Sequence, residues 1–425
     1  MKTFTELYSE VVSASLSALQ TGERYNPSSL SDFNPHHLEC LLEPHKFAPV
    51  MAVEGCPCTE QQKQICEASC LFDAVVRDGD GNLSVVPEKC TGCAACLDTC
   101  KLQHLVERKE VVPVLDMLVK PNPPVYALVA PAFVGQFGPN VTPGKLRSVC
   151  KRLGFAGMIE VSLFADILTL KEALEFDRYI QQDGDFLLTS CCCPVWIAMI
   201  RRIYQSLIPH IPPSVSPMVA CGRAVKALYT GAKTVFIGPC LAKKAEAREP
   251  DIADAIDYVL NFHEARDIFG ALIPDIEAFG EDSRDHSSRA GRIYARSGGV
   301  SEAVQLTLER LRPDKSVPVE SWHVSGIPAC KALLEDLKRG KIPANFLEGM
   351  GCVGGCVGGP RTLISKEEGK DQVDGYGAKS TSMTPVDNPS VLKLLELLGF
   401  DSVESLLEHD ALFTRNFPVV DQIGR

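Results

Sequence analysis

Residues 90–100 read CTGCAACLDTC, which spaces four cysteines as Cys90-x2-Cys93-x2-Cys96-x3-Cys100. Few patterns constrain a local fold more tightly. Three cysteines on one short loop wrap a [4Fe–4S] cube, and the fourth reaches toward a neighbouring cube. Gly92, Ala94 and Ala95 suit such a loop, because small residues let backbone amides approach the sulfides. Zinc is the main competing occupant.

A companion run lies upstream in CPCTEQQKQICEASC, with Cys56-x-Cys58-x7-Cys66-x3-Cys70. It keeps the x3 ending but shortens the first gap and widens the second, which makes Cys56 the least secure ligand. Crossed ligation assigns Cys90, Cys93, Cys96 and Cys70 to one cube, and Cys56, Cys58, Cys66 and Cys100 to the other. Two adjacent cubes form an electron wire, and a wire needs a terminus.

The remaining chain is long enough to supply one. It has 425 residues, 45% hydrophobic and 23% charged, with a formal net charge of −11. No lysine- or arginine-rich block stands out, which argues against nucleic acid or an anionic membrane as partner. No run of about 18 apolar residues predicts a membrane span, and the N-terminus lacks a signal-peptide core. A cytoplasmic location is expected. Disulfides are rare there, yet fourteen of the eighteen cysteines fall in short patterned groups. That concentration favours cluster ligation. Cys40, Cys150, Cys221 and Cys330 read as structural, and His36–His37 are expected in a loop.

Three regions are expected: a helical and loop-rich stretch over 1–48, a cluster segment over 49–119, and an α/β domain over 120–425. In the last, VYALVAP, GMIEV, FLLTS, KTVFIGP and DYVLNF alternate with helical patterns. Three apolar runs there end in cysteine: FLLTSCCC, KTVFIGPC and ANFLEGMGC, the last followed by VGGC. Loops at the strand ends of parallel sheets gather at one edge, where helix N-termini favour an anionic ligand. Any one loop alone is as well explained by a buried cysteine beside a turn. Three of them beside a two-cube segment are not.

The stretches TSCCCPVW, PCLAKKAE and EGMGCVGGCVGG resemble, in order, the three signature loops of [FeFe]-hydrogenases. VAPA at 129–132 and SGGVSEA at 297–303 also resemble family segments, and the triple cysteine suggests the group B branch. The resemblance implies two parallel-sheet α/β lobes around a central cofactor, preceded by a ferredoxin-like 2[4Fe–4S] domain. That cofactor, the H-cluster, is a [4Fe–4S] cube bridged by cysteine to a diiron unit with CO, cyanide and azadithiolate ligands. The implied reaction is the reversible formation of H2 from protons and electrons. A ferredoxin-like carrier and hydrogenase maturation proteins are the implied partners.

Residue by residue, the resemblance makes Cys240, Cys352 and Cys356 cube ligands, with Cys356 bridging to the diiron unit. Lys243 is implied as the donor to cyanide, Met350 as a neighbour of the diiron unit, and Ala130 with Pro131 as backbone near cyanide. Gly354, Gly355, Gly358 and Gly359 are expected to let backbone pass close to the cofactor. Glu172 and Glu175 share one helix face and match the family's proton path, and Glu246 fits the second loop's glutamate. Lys244 reads as part of a solvated face. One inheritance is broken. Pro212 falls where a relay serine is expected and Met218 where a glutamine often lies, which leaves Ser214, water or another exit.

Two alignments compete for the triple cysteine. Reading forward from TS makes Cys191 the relay and Cys192 the ligand. Reading backward from CPxW makes Cys192 the relay, Cys193 the ligand and Cys191 an extra thiol. The second keeps Glu172 and Glu175 in register without a gap, and puts the ligand directly before Pro194, a natural first helical residue. Two other functions compete with catalysis: an H2 sensor of low turnover, and an iron–sulfur assembly factor lacking the diiron unit.

Overall fold

The computed structural model describes the whole chain except residues 54, 103, 190–191, 409–410 and 418–425. Helix α1 (Phe4–Thr21) opens on a capping box between Thr3 and Glu6 and ends at left-handed Gly22. Helix α2 (Pro35–Leu42) holds His36 and His37, against the loop expected for them. Asn34 caps it through the His36 amide and Pro35 occupies its first turn.

The cysteine-rich segment is built from short elements: β1 (Val50–Ala52), α3 (Glu60–Ala68), β2 (Val75–Arg77), β3 (Leu83–Val85), α4 (Ala95–Thr99) and β4 (Leu105–Glu107). β1 pairs antiparallel with β4, and β2 with β3. Helix α5 (Val111–Val119) follows, and it packs on α1 and α2.

The rest is α/β. Along the chain come β5 (Val125–Val129), α6 (Pro143–Arg152), β6 (Gly157–Glu160), α7 (Ser162–Tyr179), β7 (Leu187–Leu188), α8 (Pro194–Arg202), α9 (Pro217–Leu228), β8 (Lys233–Gly238), α10 (Ala242–Glu246) and β9 (Tyr258–Asn261). Next are α11 (Phe262–Leu272), α12 (Arg289–Arg292), α13 (Gly299–Leu311), β10 (Ser321–Ser325), α14 (Ile327–Lys338) and β11 (Phe346–Met350). Four strands form a parallel sheet in the order β6-β5-β8-β9, and three form a second in the order β10-β11-β7. Helices cover the sheets, so the central strands are buried and read as apolar runs rather than alternating ones.

The three cysteine loops therefore do not share one sheet edge. The second leaves β8 of the four-stranded sheet, while the first and third leave β7 and β11 of the other. They meet because the two sheets present their strand ends to a common centre. Helix α7 runs beside that centre against α9, α12 and α13, and is buried along most of its length.

Candidate active site

The first loop is held by little sheet. β7 pairs with β11 at Leu187 and Leu188, and the Thr189 amide extends the ladder to the Leu347 carbonyl at 3.0 Å. Trp196, 1% exposed, donates its indole N–H to the Thr189 carbonyl at 3.1 Å and so locks the loop onto α8. Cys193 is the extended residue before Pro194, which opens α8. Its Sγ accepts the Gly351 N–H at 3.2 Å, tying the first loop to the third. Cys191 lies outside the described residues.

Cys193, Cys240, Cys352 and Cys356 lie close together, and Cys193 acts on the other three thiols. Burial, and then the neighbouring thiols, push Cys240 up to about 11 and Cys356 up to about 12, and raise Cys352 well beyond its ordinary value. Cys192 lies beside Cys193 and Cys356. Its half-buried thiol is open to an internal cavity that Ala130, Pro131, Cys240, Lys243 and Cys356 also line. That cavity has a volume of about 50 Å³. Burial raises the Cys192 thiol first, followed by Cys193, Glu348, Cys356 and Glu172, so it is a neutral S–H.

Lys243 is 6% exposed and holds Glu246 at 2.5 Å. Burial pulls its ammonium down, but Glu246 and the thiols of Cys240 and Cys356 outweigh this and leave it raised. A cation therefore faces the cavity. Lys244 is a correction to the solvated face expected of it: it is fully buried and donates to Glu264 at 2.8 Å and to the Arg108 carbonyl at 2.6 Å. Five-residue α10 lies between the cysteine-rich segment and the sheet, so both lysines face protein.

Glu172 and Glu175 are both buried, not a solvated acidic face. Tyr294, which lines the cavity, donates to Glu172 at 3.4 Å. The Ser214 hydroxyl lies 3.4 Å from both Glu175 oxygens. Burial raises Glu175, while Lys171 and Ser214 draw it back. Pro212 lies in this same loop, and buried Met218 joins the cavity wall. Met350 is not among the cavity-lining residues. It packs behind the third loop, where a Cβ on Gly355 would stand 2.6 Å from its sulfur. A Cβ on Gly358 would meet the Val353 carbonyl at 2.0 Å. At these two glycines the loop packs closely on protein.

Sequence reasoning passed over Tyr294, Lys171 and Glu348. Glu348 is fully buried and accepts from the Gly298 and Ser301 amides and the Ser301 hydroxyl, each at 2.8 Å. It thereby anchors the start of α13 to β11, and its place in EGMGC was the available signal.

In the cysteine-rich segment, Cys70, Cys90, Cys93 and Cys96 line one small cavity. Cys58 lies beside Cys56, Cys66 and Cys100. Among the described residues no three such side chains close on a single ion. The first cavity abuts the first and second of the three cysteine loops, because Cys70 and Cys93 pack in the same apolar cluster as Cys193, Cys240 and Ala242.

The model of the iron-only hydrogenase large subunit, C-terminal domain, matches residues 123–360. The chain belongs to this family. Within it, Iron hydrogenase 1 of Clostridium pasteurianum is 29% identical over 285 residues, 57% of this chain and 49% of that protein. The chain thus spans about half the length of that relative. Cytosolic iron-sulfur assembly component 3 of Pongo abelii is 24% identical over 383 residues, 74% of this chain and 80% of that protein. A solved [FeFe]-hydrogenase variant from Chlamydomonas reinhardtii aligns with a TM-score of 0.57 at 21% identity, covering 71% of this chain and 97% of that one. The fold is that of the [FeFe]-hydrogenase catalytic domain.

Proposed function

We propose that the chain is an [FeFe]-hydrogenase of the group B branch, interconverting protons, electrons and H2. The observation that carries this reading is the cavity, where Cys192, Lys243 and Cys356 meet beside the thiols of Cys240 and Cys193. The donor set fits the family's cofactor: thiols from three loops for a cube, and a buried cation for an anionic partner. Cys193, Cys240, Cys352 and Cys356 would hold the cube, with Cys356 bridging to the diiron unit. When bound, the cofactor supplies the redox chemistry of H2.

The chain's own residues supply the rest. Ala130 and Pro131 shape the cavity, Lys243 neutralises charge, and Glu246 fixes the Lys243 ammonium. The neutral Cys192 thiol holds a proton at the cavity wall. Glu172 with Tyr294, then Ser214 with Glu175, carry that proton along α7 away from the cavity, so Ser214 takes the place left by Pro212. Cys90, Cys93, Cys96 and Cys70, and Cys56, Cys58, Cys66 and Cys100, would hold two [4Fe–4S] clusters in a ferredoxin-like domain, which would supply a path for electrons. A ferredoxin-like carrier is the proposed donor, maturation proteins the source of the diiron unit, and the cytoplasm the compartment. No described helix is long and apolar enough to cross a membrane.

Likeness to the assembly component favours a second reading, an iron–sulfur assembly role without the diiron unit. Loading the iron–sulfur protein with synthetic diiron cofactor separates the two. Infrared bands of CO and cyanide with H2 turnover support the enzyme. No bands after competent loading favour the assembly role, and bands without turnover favour a sensor.

A further inference from the structure

Lys171 has no part in the reading above, yet it is 2% exposed beside the relay. It lies four residues before Glu175 on α7 and forms a buried ion pair with it. Its ammonium is also 3.4 Å from the Pro213 carbonyl. That carbonyl accepts the Arg415 amide at 3.2 Å as well, and Ser214 forms a bridge with Thr414. One carbonyl thus joins α7, the relay loop and the C-terminal segment.

We propose that Lys171 is the positioning residue of the outer relay, keeping Glu175 a carboxylate aimed at Ser214 and fastening the relay loop to α7. The role rests on the hydrogenase reading above. A lone carboxylate in this setting would take up a proton rather than stay charged. The adjacent ammonium opposes that preference, although burial still leaves the Glu175 carboxyl raised above its ordinary value. Ser214 then gives its hydroxyl proton to Glu175 while receiving one from the cavity side, and the hydroxyl is restored.

The charges that act on Glu175 are on its own helix, Lys171 first and Arg178 more weakly. From the facing loop come the Ser214 hydroxyl and the Pro213 carbonyl. Arg415 of the C-terminal segment is engaged by Glu249 and Asp251. Helix α9 carries no charge before Arg223, which pairs with Asp254. On α12 and α13, Arg289 pairs with Glu302, Arg292 with Asp285 and Arg310 with Asp387. Arg312 and Glu404, where α13 and the 404–407 turn approach α7, pair with each other.

The test is infrared titration of the carboxylic-acid C=O stretch in the iron–sulfur protein before diiron loading, with Glu175 identified by subtracting the spectrum of Glu175→Gln. At pH 7 that subtraction should remove no acid band from the parent protein. Lys171→Met should create a Glu175 acid band at pH 7 and move its titration up by roughly one pH unit or more, while Lys171→Arg restores the parent behaviour. After loading, Lys171→Met should lower H2 uptake roughly tenfold more than H2 production, since uptake needs Glu175 as acceptor. An acid band at pH 7 in the parent overturns the proposal even if Lys171→Met does not fold. So does an unmoved titration in a folded Lys171→Met. Failure of diiron loading would count against the hydrogenase reading and leave this titration intact.

Discussion

Gly92 rests directly on Ala242: a Cβ built on Gly92 would stand 2.9 Å from the Ala242 Cα and 2.9 Å from the Leu241 carbonyl oxygen. The cysteine loop of residues 90–96 and the turn after Cys240 are thereby in backbone contact. Gly92 also has φ +70, a conformation that side chains disfavour. An electron path from the proposed accessory cluster to the proposed cube depends on this approach.

Gly92→Ala should force the two loops apart at a cost of roughly 1–3 kcal/mol. The expected result is slower turnover with an external electron donor and a lower melting temperature. The infrared bands of the loaded cofactor should stay in place, because Cys193, Cys240, Cys352 and Cys356 are untouched.

Cys192 and Cys193 should separate cleanly. Cys192→Ser is expected to retain the iron of the cube and lose roughly 10²-fold or more in turnover, the scale of a displaced proton carrier. Cys193→Ser should lower iron content itself. Iron analysis together with turnover decides the matter, and the reverse pattern would restore the alignment in which Cys192 is the ligand.

Ser214→Ala should cost turnover roughly 10²-fold, because no other hydroxyl is seen within reach of Glu175 among the described contacts. Combined with Glu175→Gln it should cost little more than either change alone, since both remove the same step. Additive losses in a double-mutant cycle would place Ser214 outside the path.

Glu107 gives a pH signature of the joint between β4 and the third loop, where it pairs with Lys109 and Arg361. Burial pushes its carboxyl up, but Lys109, Lys244 and Arg361 outweigh this and hold it down at about 2. A depressed carboxyl contributes stability above its unfolded value near 4.5 and loses it as pH falls toward 2. Glu107→Gln should therefore melt lower than the parent at pH 6, and the gap should close progressively below about pH 4.5. A gap that is constant with pH would remove the ion pair as its cause.

Much of this architecture was legible in short windows. Apolar runs marked β5, β6, β8 and β9, and Pro194 after the third cysteine fixed where α8 begins. Cysteine spacing marked the thiols that gather around cavities. All of these are local signals, carried by neighbours in sequence. Strand β10 was harder to read: it is an exposed edge with Trp322 52% exposed, so it lacks the apolar run of a buried strand.

The chain's sequence by itself determined which residues carry sulfur, charge and turns, and the family to which those patterns belong. Tertiary structure alone decided which of them share an environment. Lys243 and Lys244 are adjacent in sequence, yet one faces the cavity with Glu246 and the other reaches Glu264 and the Arg108 carbonyl, 136 positions upstream. Ser214 meets Glu175 across 39 positions, and Lys171 meets the Pro213 carbonyl across 42. Burial and charge pairing are properties of surroundings, set when two sheets close on a common centre. The residue pattern names the groups, but only the packing fixes whether a carboxylate is solvated, paired or ready to take a proton.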